Sequence, residues 1–412
     1  MNRSARFAQR AEGLPGPRAG SHAVERRSVG LWLLALITLS GTLAMHMFVP
    51  ALAVAARDLA VSASAIQATI SVYILGLALG QLVYGPVSDY MGRRPTLLFG
   101  LALFTAAGMA CMLATSVTVL VAARFTQALG GCSGLLLGRA IVRDTSSTSE
   151  TMHRLAALQL LTMIGPGCAP LVGALIATAL GWRWIFAFFV ALGVVGLIAT
   201  WRLLPETRAV PAPGASRSLR SEYAILVRSP AFLGCVIGGG CATVSLYAFI
   251  AAAPFMLVER FGQSTTMVGV WLFTLIAGAC VGNVISRRLA SRVSLMGAML
   301  AGNVVSLVCA LVLVLALLLG GATLSSVMTA MFFYSVGAGL CSPAVVTKAM
   351  SVQPSVAGSA AGIYGCGQMV VGAACTATVG LGHDPGVSSA GVLLVASVVA
   401  QACFQVVRTT SR

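Results

Sequence analysis

The chain has 412 residues, of which 58% are hydrophobic and only 9% charged, with a mean hydropathy of +0.94 and a net charge of +16. A soluble domain carries about 25% charged residues, so this composition excludes a soluble enzyme or nucleic-acid-binding domain and puts the chain in a bilayer. The apolar runs are long and continuous rather than alternating, so the expected class is an all-α polytopic membrane protein and not a barrel.

Residues 1–28 are a polar tail rich in Pro, Ser, Arg and Ala, read as disordered and cytoplasmic. Twelve apolar runs follow, each near the length of about 20 residues that crosses a bilayer as a helix. They lie near 29–55, 64–84, 96–116, 118–141, 154–180, 184–204, 231–257, 266–286, 294–319, 323–346, 357–381 and 387–407. The first is too long for a cleaved signal peptide, and no small-residue cleavage site follows it. A polar link at 205–229, read as mobile, divides the runs into two six-helix halves, 29–204 and 230–407. Residues 408–412 form a short tail.

The basic residues fall on alternate loops. One side collects Arg26, Arg27, Arg93, Arg94, Arg143, Arg154, Arg202, Arg287, Arg288, Lys348 and Arg408, while the other holds only Arg57, Arg183 and Arg260. Loops facing the cytoplasm carry such an excess, so both termini are expected there, with the chain in a bacterial inner membrane. The charge thus encodes topology and not a polyanionic partner.

Taken in chain order, five features stand out. His46 lies in the first run, which has no Asp, Glu, Lys or Arg from Val29 to Ala56. An ionisable group there is costly, and it is either a functional group or an imidazole satisfied by a backbone carbonyl. Gly85-Pro-Val-Ser-Asp89-Tyr-Met-Gly92-Arg93-Arg94 joins spans two and three. Gly85 suits close helix approach and Gly92 a sharp turn, while Asp89 can pair with Arg93 and cap the positive end of another helix; Asp144 is a further partner for Arg93. Arg124 sits inside span four with Gln127 one turn on, and a guanidinium there needs backbone carbonyls, a partner or a wet cavity. Span five carries Pro166, Ala169, Pro170 and Gly173, whose prolines remove helix hydrogen bonds and predict a kink or local irregularity. Finally, an offset of 197 residues aligns 80–100 with 277–297, matching Gly85 to Gly282 and Gly100 to Gly297. Two parallel repeats of six spans imply a carrier with its site between the halves. Eleven Cys are scattered singly without CxxC pairs, and no metal site or cofactor is expected.

The loop Gly85–Arg94 resembles the signature of the major facilitator superfamily, G-x-x-x-D-x-x-G-R-R/K. By that resemblance Asp89, with Gly85, Gly92, Arg93, Arg94 and Asp144, forms a cytoplasmic gate that docks on span eleven near Ala357-Gly358-Ser359 when the carrier faces outward. Arg124 and Gln127 resemble the superfamily's R-x-x-Q-G, linked to proton coupling, with Ala128 replacing Gly. Ala169-Pro170-x-x-Gly173-Ala174 resembles a weakened antiporter signature, G-P-x-x-G-G, which favours export. Over residues 42–208 the chain resembles the bicyclomycin and chloramphenicol resistance family of drug:proton antiporters. The likeness is carried by MHMFVPAL, SAIQATISVYILGLALGQLVYGPVSDYMGRRP, RAIVRD, APLVGALI, GWRWIF and LPETR.

The chain departs from that family at one position. Aligned on Pro50, the family reads D-M-Y-L-P and this chain reads His46-Met-Phe-Val-Pro50, so His46 stands where an acid is expected. None of the ten Asp and Glu falls in mid-span. An imidazole titrates near pH 6.5 when unperturbed and can exchange a proton near neutrality. With Arg124 as the fixed charge, the cavity suits neutral or anionic solutes better than cations. Gln67, Tyr73, Tyr247 and Phe249 are further candidate contacts. The expectation is a monomeric, non-enzymatic carrier of small molecules, exporting antibiotics or related hydrophobic compounds for protons. The alternative is a facilitator for an endogenous anion or metabolite without proton coupling.

Overall fold

The computed structural model describes residues 29–207, 219–353 and 357–410. The expected tails at 1–28 and 411–412, and residues 208–218 of the link, lie outside them. Twelve helices are long and apolar enough to cross a membrane. They are α1 (Leu31–Asp58), α2 (Ala63–Met91), α3 (Arg93–Met112), α4 (Val117–Thr145), α5 (Thr148–Ala179), α6 (Arg183–Leu203), α7 (Pro230–Arg260), α8 (Thr265–Leu289), α9 (Leu295–Leu318), α10 (Leu324–Val352), α11 (Ala357–Val379) and α12 (Pro385–Thr410). Each predicted run is one of these helices. At the end near the termini, α2, α4 and α10 continue past the apolar windows, because polar residues such as Asp89, Arg143 and Thr347 extend a helix into water without ending it. Hydroxyl caps set many starts. Ser62, Ser116, Ser147, Ser229, Ser264, Ser294 and Thr323 each accept a backbone N–H three residues on, satisfying an orphan donor of the first turn.

Two of the twelve helices break in mid-membrane. In α1, the segment Leu31–Met47 gives way to a 3₁₀ turn, Val49–Ala51, and resumes at Leu52. Pro50 within that turn has no N–H to continue the ladder. In α7, Pro230–Thr243 ends at Val244 and Ser245 before Leu246–Phe255 resumes, and Met256–Arg260 winds as a π-helix. The offset of 197 read from the loops carries Phe48 onto Ser245, so the two breaks occupy equivalent positions.

The apolar core shows how the halves meet. One contiguous core takes residues from both, among them Phe48, Ile70 and Phe186 from the first and Phe249, Leu272 and Met331 from the second. It occupies the membrane centre and the end away from the termini. Toward the termini, the core divides into a first-half part around Leu34, Leu101 and Ile141 and a second-half part around Phe232, Val345 and Phe404. The halves therefore share one core at the far end and keep separate apolar cores toward the termini, where α2 still meets α11 at Gln81 and Gly365. An ion pair ties each half at the far end: Asp58 accepts from Trp182 Nε1 (3.0 Å) and pairs with Arg183, and Arg260 lies 3.8 Å from Asp384. The link also departs from its mobile reading over Leu219–Val227, which form a helix with Leu226 buried against the second-half core.

Candidate functional site

Arg124 has no accessible surface, and no carboxylate contacts it among the described residues. Its Nη1 donates to Ala44 O (3.0 Å) and to Gln127 Oε1 (2.8 Å). Its guanidinium lies 4.0 Å from the centre of the Tyr73 ring, 5.5 Å from Phe48 and 5.8 Å from Phe186. A buried unpaired cation costs several kcal/mol. Two hydrogen bonds and three ring faces, each worth roughly 0.5–2 kcal/mol, offset part of that. Tyr73 is itself fixed by donation to Gly41 O at 2.7 Å. The offset is incomplete. Arg124 Nε and Nη2, and Gln127 Nε2, are buried donors without an acceptor.

Two residues before the break in α1, His46 packs its ring 5.8 Å from that of Tyr247 in α7. The contact crosses from one half to the other. His46 is buried, and its imidazole makes no hydrogen bond among the described residues. Gln67 also bridges the halves, donating from Nε2 to Ala251 O at 3.3 Å. Arg124, Gln127 and Tyr73 thus form one cluster inside the first half, while His46 and Gln67 belong to the joint between halves. Phe249 is buried in the shared core.

The Pro/Gly segment of span five lies on the same joint. α5 remains one α-helix through Pro166 and Pro170. Ala169 and Pro170 are buried. A Cβ on Gly173 would fall 1.8 Å from Met47 O, so α1 and α5 meet there backbone to backbone. On the same stretch, a Cβ on Gly269 of α8 would lie 2.9 Å from Pro170 O and 2.8 Å from Ala174 Cβ. The segment therefore lies where α1, α5 and α8 pack closely together.

At the opposite end, the Gly85–Arg94 loop is assembled. Gly92 turns with φ +100°, a conformation that favours glycine. Arg93 Nε donates to Asp144 Oδ2 at 3.0 Å, and its Nη1 pairs with Asp89 and Ser88. One expectation is corrected here. A Cβ on Gly85 would meet nothing within 4 Å, so this glycine serves no close helix approach, whereas its repeat partner Gly282 is pressed on Val336 O. Asp89 is 65% exposed and pairs with Arg93 rather than with α11, a contact expected only when the carrier faces outward. Ser359, in the first turn of α11, donates instead to Glu222 of the link helix.

Glu206 plays the analogous part for α3, accepting the backbone N–H of Arg93 (2.9 Å) and Arg94 (3.2 Å), while Arg94 Nη2 donates to Trp201 O. Sequence reasoning noticed LPETR without giving Glu206 a role, and a lone acid at 222 carried no signal. Among the described residues, no group of three or more His, Cys, Asp or Glu could hold a metal ion.

Comparison with known proteins agrees with this architecture. A family model described as Major Facilitator Superfamily matches residues 34–376. The chain is 31% identical over 348 residues to "Multidrug resistance protein D" of Escherichia coli K12, covering 82% of this chain and 86% of that protein. It is 33% identical over 264 residues to "Chloramphenicol resistance protein" of Pseudomonas aeruginosa, covering 63% and 61%. Among solved structures, a bacterial homologue of the human lysosomal transporter Spinster superposes with a TM-score of 0.74 at 14% identity, covering 92% of this chain and 96% of that one.

Proposed function

The chain belongs to the Major Facilitator Superfamily and is a membrane transporter, and on that premise we propose that it exports small antibiotics or related hydrophobic compounds in exchange for protons. The drug-resistance names of its relatives support the substrate class, and the excess of Arg on the loops beside the termini supports an inner-membrane chain with both ends cytoplasmic. Substrate then enters at the termini end, where the halves keep separate cores, and leaves once the far end opens and the termini end closes. Residues 29–204 and 230–407 act as the two rocking units. Asp89, held by Arg93, reaches α11 only in the state closed at the termini end.

One observation carries the site assignment: a buried polar centre with unpaired donors and no acid. Among the described residues Arg124 Nε and Nη2 and Gln127 Nε2 lack acceptors, and the His46–Tyr247 contact lies separately, at the joint of α1 and α7. A neutral or weakly anionic solute bearing acceptor oxygens satisfies those donors, while a lipophilic cation leaves them unmet. With no carboxylate at the centre among the described residues, His46 is the exchangeable group. Its test is transport measured across pH with His46→Asn and His46→Asp. The reading requires His46→Asn to lose dependence on a pH gradient and His46→Asp to keep it; an unchanged pH dependence in His46→Asn contradicts it.

The same uncompensated guanidinium favours a second reading, an uncoupled carrier of an endogenous organic anion. Counterflow indifferent to the pH gradient, and competed by organic anions, selects it over the first.

A further inference from the structure

We propose that Gln368 and Tyr364 of α11, set by Thr243 at the break in α7, form a neutral hydrogen-bonding subsite on the second half that takes the hydroxyl or amide groups of an uncharged substrate. The proposal rests on the exporter reading above and names the second wall of its site.

Thr243 is the last residue of the first segment of α7, and its hydroxyl donates to Gly239 O at 2.6 Å. With its hydrogen so used, Thr243 Oγ1 can only accept, and Gln368 Nε2 donates to it at 3.2 Å. The same Nε2 donates to Tyr364 Oη at 2.7 Å. Those two bonds fix the orientation of the amide. Nitrogen faces α7, and Oε1 points away with nothing among the described residues donating to it. Tyr364, accepting from the amide, has its own O–H free to donate, and no acceptor for it is found among the described residues. The cluster therefore offers one acceptor and one donor, both neutral.

The faces of α11 say where that amide points. Val370, Ala374 and Ala377 are exposed on the outer side. Gly365 faces Gln81 of α2, Gly367 and Val371 face Val236 and Gly240 of α7, and Gly372 meets Val244 of α7 first with Ile74 of α2 beyond it. Gln368 is three residues after Gly365 and three before Val371, so it lies between the two flanks on the inner side, and it is half-buried. A Cβ on Gly239 would sit 2.8 Å from Tyr364 Oη, so only glycine leaves the hydroxyl its place. A helix broken beside an inward-facing polar cluster is where carriers of this architecture can expose unsatisfied groups to a ligand. Arg124 supplies charge from the first half. The second half supplies uncharged pairing, selecting substrates with hydroxyl or amide groups from those that are merely apolar.

The test measures equilibrium binding to the full chain in nanodiscs with two probes, chloramphenicol and its 1,3-diacetyl ester, whose hydroxyls are capped. Gln368→Leu is expected to weaken chloramphenicol roughly tenfold while leaving the diester unchanged, the loss of one hydrogen bond to a hydroxyl. Tyr364→Phe keeps the ring and its packing, loses the donor, and is expected to weaken both probes, since both retain the amide and acceptor oxygens. Equal losses for the two probes with Gln368→Leu, or no loss with either variant, overturn the subsite while leaving the exporter reading intact. Wild-type chain that binds neither probe contradicts the exporter reading and the subsite's ligand class together.

Discussion

Arg124 and His46 stood out in the sequence for the same reason: an ionisable group in an apolar run is costly. The sequence could not reveal their partners. Those depend on which helices approach, and nothing local to α1 specifies that His46 meets Tyr247 across the halves or that Arg124 is stacked on Tyr73. Arg124→Lys retains charge but loses the planar fork and the ring stacking, and is expected to lower transport at least tenfold at unchanged membrane expression. Full activity with lysine there would show that only the charge matters. Gln368 was illegible for a complementary reason. A glutamine in a Gly-rich span gives no signal until the used hydrogen of Thr243 fixes its amide.

At the scale of elements, helix positions followed from hydropathy because the bilayer leaves a chain little choice but helices of that length. Motif roles were only partly legible. Gly92 and the Arg93–Asp144 pair lie where the spacing set them, whereas Gly85 faces open space and Glu222, not Asp89, bonds the first turn of α11. Two substitutions separate these readings. Gly173→Val forces side-chain atoms into Met47 O and should destabilise the chain by about 1–3 kcal/mol, while Gly85→Ala should leave thermal unfolding unmoved. Equal effects of the two would mean that the seam between α1 and α5 is looser than its geometry. Glu222→Gln weakens a charge-assisted bond at a helix N-terminus, so amide exchange over the first turns of α11 should rise by a factor of roughly three to ten, read by mass spectrometry. Unaltered exchange would remove Glu222 from any role in holding that helix.

For the molecule as a whole, the internal repeat was faint in sequence, a few matched residues at one loop. Yet the same offset joins the breaks of α1 and α7. Repeats keep their backbone geometry while side chains diverge, which is why the fold was readable and the state was not. That the halves share one core at the far end and keep separate cores near the termini follows from which apolar faces meet, a property of two halves together. This transporter, with no Asp or Glu in mid-span, is proposed to couple export to protons through His46. The most direct measurement is chloramphenicol uptake into proteoliposomes with an acidic lumen, compared with liposomes at equal pH. The account predicts accumulation above equilibrium that nigericin abolishes and that His46→Asn fails to show. Uptake that is the same with and without the gradient contradicts it.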